Sequence, residues 1–88
     1  INMDMNSKHK KTLVTIFSKP VPGALEWRKI ESLFVALGAE IIEGSGSRVS
    51  FLLNDEKADF HRPHPEKEAK KYQVRNARDF LEKAGVTP

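Results

Sequence analysis

The residues best suited to chemistry lie together in one stretch, 60–78, which reads FHRPHPEKEAKKYQVRNAR. It holds two histidines, His61 and His64, and six basic side chains against two acidic ones. The basic residues are Arg62, Lys67, Lys70, Lys71, Arg75 and Arg78. Histidine exchanges protons near neutral pH because its ordinary pKa is about 6.5, and clustered positive charge attracts polyanions. The stretch therefore predicts a site that holds a polyanion and could cut it.

The composition is that of a single globular domain. The 88 residues are 39% hydrophobic and 31% charged, with a formal net charge of +3 that the basic stretch accounts for. The absence of cysteine excludes a disulfide framework and thiolate chemistry. No apolar run approaches the roughly 18 residues of a membrane span, and no signal-peptide pattern is present. We therefore expect a cytoplasmic protein with no membrane partner.

The first predicted helix covers 8–18, with Ser7 as its candidate N-cap. Three lysines crowd its first turn, where positive charge opposes the helix dipole. They are Lys8, Lys10 and Lys11. A solvated helix start is the favoured interpretation of these lysines, and a secondary anion contact is the alternative.

A second, clearly amphipathic helix is predicted over 25–37 and ends at Gly38. Trp27 lies on its apolar stripe, so we favour core packing for this side chain over stacking on a base.

Three short antiparallel strands are predicted next, over 40–43, 48–53 and 57–61. A two-residue turn between the last two strands sets Arg48 opposite His61, whereas a four-residue loop sets Ser50 there. Either register places His61 on the polar face of the sheet.

A final helix is predicted from about Glu66 or Gln73 to Ala84, stopped by Gly85. Its predicted inner face is formed by Val74, Ala77, Leu81 and Ala84. The basic residues fall in its first half. They serve either an outside partner or a solvated face with pairs such as Glu66–Lys70.

The element order predicts an α+β fold in which one face of an antiparallel sheet packs on helices and the other is open to solvent. Residues 1–6 are interpreted as a disordered or vector-derived start, and 7–88 as one domain. Within it, 7–19 is an N-terminal helical extension and 25–86 is the core.

Residues 27–86 resemble the HicA toxins of bacterial type II toxin–antitoxin pairs, which are small ribonucleases with a double-stranded-RNA-binding-domain fold. Five features in this order carry the resemblance. They are the helix end Leu37-Gly38-Ala39-Glu40, the pair Gly46-Ser47, His64 after the third strand, the lysine run KEAKK at 67–71 and the terminal LEKAGV at 81–86.

The resemblance implies that the protein degrades mRNA, that a HicB-type antitoxin neutralises it, and that it needs neither a metal nor a cofactor. The lysine run resembles the phosphate-gripping element of double-stranded-RNA-binding domains, which read the shape of the helix. Ser47 joins the six basic residues as an RNA-binding candidate.

The family's catalytic histidine follows a Gly-Ser pair, but here Arg48 and Val49 occupy those positions. Arginine stays protonated and cannot act as a base, although its planar fork suits a phosphate. We therefore hypothesise that His61 supplies acid–base catalysis, Arg48 clamps the phosphate and His64 assists. The alternative is that both histidines only hydrogen-bond backbone. A metal site at these histidines would lack a clear third ligand.

Two other functions remain open from the sequence. One is a non-catalytic RNA-binding module that lost the nuclease with the usual histidine. The other is a protein-binding subunit whose open sheet face docks a partner.

Overall fold

The computed structural model describes residues 5–88, so most of the predicted start, 1–4, lies outside the described residues. Within the described residues, three helices and three strands follow one another. They are α1 (Ser7–Ile16), α2 (Trp27–Ala36), β1 (Glu40–Glu43), β2 (Arg48–Leu53), β3 (Glu56–His61) and α3 (Lys71–Lys83). The predicted α+β class and element order are confirmed.

The strands form one antiparallel sheet in the order β1-β2-β3. Asn54 and Asp55 both have positive φ, 50° and 66°, as in the two-residue turns that match the twist of paired strands. This turn sets Arg48 opposite His61 and Val49 opposite Phe60. The two-residue register is therefore the observed one.

The sheet separates an apolar from a polar face. Val49, Phe51 and Leu53 of β2 are buried, whereas Arg48 is exposed at the start of the same strand. Since side chains alternate along a strand, His61 shares the solvent-facing side with Arg48. The predicted open face is confirmed.

An aromatic cluster forms the centre of the core. The ring of Phe34 lies 4.9 Å from that of Phe51 and 5.2 Å from that of Phe80, between centroids. Trp27 is also in the core, 5.2 Å from Phe60, as its place on the apolar stripe predicted. Phe80 is a core residue that the predicted inner face of α3 omitted.

The predicted limits of α1 and α3 require correction. The side chain of Asn6, not Ser7, caps α1 by accepting a hydrogen bond from the backbone N–H of His9 at 2.9 Å. α3 begins only at Lys71, because the preceding backbone is extended and pairs with the chain before α2. The Ala69 amide donates to the carbonyl of Leu25 at 2.8 Å.

α1 packs on the rest of the domain. Leu13 and Ile16 are buried in the common core. The guanidinium of Arg78 donates to the carbonyls of Ile16 and Ser18, both at 3.1 Å, and so joins α3 to the end of α1. Among residues 5–88, no helix has the length and apolar character needed to cross a membrane.

Candidate functional site

The site is built at the end of the sheet where β2 begins and β3 ends. Arg48 and His61 are direct partners in the β2–β3 register, and both side chains are exposed on the open face. Side chains of directly opposite residues lie about 5 Å apart at Cβ. A proton-exchanging imidazole and a permanent cation therefore face the same solvent region.

The loop before β2 turns tightly behind this pair. The amide of Gly44 donates to the carbonyl of Arg48 at 2.9 Å. A Cβ atom at Gly44 would lie 2.9 Å from the Cβ of Arg48, so the loop leaves no room for a side chain there. The Arg62 amide donates to the Ser47 carbonyl at 2.8 Å and extends the pairing past the end of β3.

Gln73 connects this end of the sheet to the start of α3. Its side-chain amide donates to the carbonyl of His61 at 2.7 Å, and its Oε1 accepts from the amide of Lys70 at 2.9 Å. The Gln73 side chain is 2% exposed. This contact fixes the backbone of His61 beside the first basic residues of α3.

Arg62 is held by two carboxylates. It donates to Glu31 at 3.0 Å from both Nε and Nη2, and to Glu43 at 2.7 Å from Nη1 and 2.9 Å from Nη2. Glu31 also accepts the indole N–H of Trp27 at 2.9 Å. These hydrogen bonds raise the pKa of Arg62 and lower that of Glu43. Arg62 thus fastens the chain after β3 to α2 and β1, and most of its donors are used within the protein.

The contact of Arg62 with Glu31 and Glu43, called the Arg62 clamp below, should respond to acid through Glu43. A carboxyl whose pKa is lowered in the folded state binds fewer protons than in the unfolded state, so its contribution to stability is present above its ordinary pKa of 4.5 and is lost as the pH falls through the lowered value. We expect thermal melts between about pH 6 and pH 3 to show a shallower fall in Tm for Glu43→Gln than for the wild type.

Glu40→Gln is the matched control for this prediction. Glu40 is an exposed carboxylate of the same strand, and it has no salt-bridge partner among residues 5–88. Identical slopes for Glu43→Gln and the wild type would show that the clamp contributes nothing to acid stability.

The six basic candidates divide into two groups. Arg62 and Arg78 make intramolecular hydrogen bonds, as described above. The other four are exposed, and within the described residues none has a carboxylate at salt-bridge distance. These four are Lys67, Lys70, Lys71 and Arg75. They lie in the extended segment before α3 and in its first turns. The four exposed cations therefore lie on both sides of Gln73 along the chain.

His64 lies in an exposed turn between Pro63 and Pro65. It lies three positions after His61, so their Cα atoms are at most about 11 Å apart. Within residues 5–88, no group of three or more histidine, aspartate or glutamate side chains is arranged to hold a metal ion. His64 therefore adds a second exposed imidazole three positions after His61.

Gln73, Glu31 and Glu43 were not among the site residues predicted from the sequence. Gln73 lies in a helical pattern, and that pattern does not indicate that its amide is buried. Glu31 lies 31 positions before the arginine it binds. A capping interaction between Gln73 and Lys70 was the one local indication available, since glutamine at the third helical position commonly caps a helix.

The fold and site define a small α+β domain whose open sheet ends in a histidine–arginine pair beside exposed cations. A family model described as "HicA toxin of bacterial toxin-antitoxin" matches residues 27–86. The chain therefore belongs to the HicA toxin family of toxin–antitoxin systems, and the resemblance stated from the sequence is confirmed. α1 lies before the matched region. No curated protein and no solved structure is significantly similar to the chain.

Proposed function

We propose that this protein is a toxin that cleaves mRNA in the cytoplasm without a metal ion, and that a HicB-type antitoxin neutralises it. The observation that carries the proposal is the Arg48–His61 pair on the open face, joined through Gln73 to the start of α3. Family membership supports a toxin with an antitoxin partner.

The proposed reaction uses the three candidate catalytic residues. His61 takes the proton from a ribose 2′-OH, and the 2′-oxygen forms a bond to the adjacent phosphorus. The bond between phosphorus and the 5′-oxygen breaks, and the protonated form of His64 gives its proton to that oxygen. The products are a 2′,3′-cyclic phosphate end and a 5′-OH end.

Arg48 acts on the charge of the phosphate. Negative charge on the non-bridging oxygens rises as the 2′-oxygen attacks, and a guanidinium can bind two such oxygens at once. Lys67, Lys70, Lys71 and Arg75 would hold neighbouring phosphates, since contacts to the backbone position a nucleic acid without reading its sequence. Ser47 adds a hydroxyl beside Arg48. Arg62 has a structural part in this proposal, because its guanidinium is shared by Glu31 and Glu43.

The proposal is tested with purified protein and a natural mRNA, followed by analysis of the RNA ends. We expect 2′,3′-cyclic phosphate ends from the RNA, and none where a 2′-O-methyl group replaces the attacking hydroxyl. Expression of the chain should arrest growth, and co-expression of the adjacent gene's product should relieve the arrest. Soluble protein that binds the RNA without cutting it would instead establish the non-catalytic RNA-binding module.

A further inference from the structure

A groove of about 520 Å³ lies between α1 and α2. Four cations line it, and no acidic residue from 5–88 does so. The cations are Lys8, Lys11, Arg28 and Lys29. All four lie in α1 or in the first turn of α2, outside the proposed cleavage site.

Little of this positive charge stabilises the fold. Lys8 and Lys11 lie in the first turns of α1, where positive charge opposes the helix dipole. Arg28 is paired with Glu26 at 2.6 Å, but within residues 5–88 no carboxylate lies at salt-bridge distance from Lys8, Lys11 or Lys29. All three lysines are exposed. Their charge is therefore available to a ligand.

The groove continues toward the proposed cleavage site. His9, Arg28 and Ser32 line both this groove and an adjoining open depression along α2. Arg62 also lines that depression, together with its partner Glu31, and Arg62 directly follows His61 in the chain. The groove thus adjoins a depression that extends to Arg62, the residue after His61.

We propose that the groove between α1 and α2 binds the sugar–phosphate backbone of RNA, as a second contact for a strand that also reaches the His61 end of the sheet. The identity of the ligand as RNA rests on the proposed function. Leu25 is the one large apolar side chain among the lining residues of the described chain, and it is buried. A protein partner generally needs exposed apolar anchors, whereas phosphates need only cations and polar donors.

The test compares the affinities of two single-stranded 2′-O-methyl RNAs, of about 4 and about 16 nucleotides, for the full chain. Such RNAs lack the attacking hydroxyl, so binding is measured without cleavage. Each phosphate contact contributes about 0.7 to the slope of log K against log salt for a single strand. For Lys8→Gln/Lys11→Gln/Lys29→Gln we expect the slope for the long RNA to fall by about 2, and its affinity to fall about 100-fold at about 0.1 M salt. Affinity for the short RNA should be unchanged.

The matched control is Lys10→Gln/Lys19→Gln/Lys83→Gln, which removes the same charge from exposed lysines outside the groove. Equal losses in both triple variants would overturn the site and indicate general electrostatic attraction. Loss of binding to an acidic polypeptide, with RNA affinity retained, would assign the groove to a protein partner and also overturn the proposal. If the chain binds the long RNA through the groove but cleaves no RNA, the proposed groove site is retained and the proposed nuclease function is rejected. The Tm should be unchanged or higher in the groove variant, because it removes charge that opposes the α1 dipole.

Discussion

Replacing His61 with alanine is expected to slow RNA cleavage by about 10²- to 10⁴-fold, the usual contribution of a general acid or base. His61 faces the Arg48 region on the open face, and its backbone is fixed by strand pairing and by Gln73. The rate should be measured in single turnovers with protein in excess, so that product release does not enter it. Affinity for the 2′-O-methyl RNA should change little, because the loss is in proton transfer.

His64→Ala and Lys57→Ala complete this comparison. His64→Ala should also slow cleavage, but by less than His61→Ala, because an exposed turn holds its imidazole less firmly. Lys57 is exposed at the opposite end of β3, so Lys57→Ala should leave the rate unchanged. Wild-type rates for both histidine variants would show that the acid–base function does not reside in 60–64.

Gln73→Met is expected to lower the free energy of unfolding by about 1–3 kcal/mol. Methionine keeps the bulk of the side chain, but the His61 carbonyl and the Lys70 amide each lose a partner in a partly buried setting. That loss is a large share of the roughly 5–15 kcal/mol that stabilise a small domain. Cleavage should slow as well, since the end of β3 is no longer tied to α3. Urea unfolding and single-turnover cleavage measure the two effects.

Gln73→Glu and Asn76→Ala separate the parts of this contact. Glutamate can still accept from the Lys70 amide but cannot donate to the His61 carbonyl, so the cap survives and the tether is lost. Asn76 is exposed on the same helix, and its replacement by alanine should cost almost nothing. Full stability and full activity in Gln73→Met would remove Gln73 from the positioning of His61.

The sheet was predictable because its determinants are local. Alternation along β2 assigns Val49 and Phe51 to one face, and a one-residue slip would turn that set toward solvent. The Asn54–Asp55 pair suits the positive φ values that a two-residue hairpin turn requires. These two facts bring Arg48 and His61 together. The limits of α3 were harder to predict, because the extended conformation of 67–69 depends on pairing with a segment about forty positions earlier.

The sequence by itself determined the α+β order, the open sheet face, the family resemblance and the position of His61 on the polar face. All of these follow from periodicity, turn chemistry and residue type within short stretches. The sequence left Arg48 and Ser50 as alternative partners of His61, and the structure decided for Arg48. Only the tertiary structure decided which cations remain available to a ligand. Arg62 is held by Glu31 and Glu43, and Arg78 by the end of α1. Lys8 and Lys11 of α1 line one groove together with Lys29 of α2. The physical reason is that a side chain's partners are set by distances across the fold, which residue type and spacing along the chain do not encode.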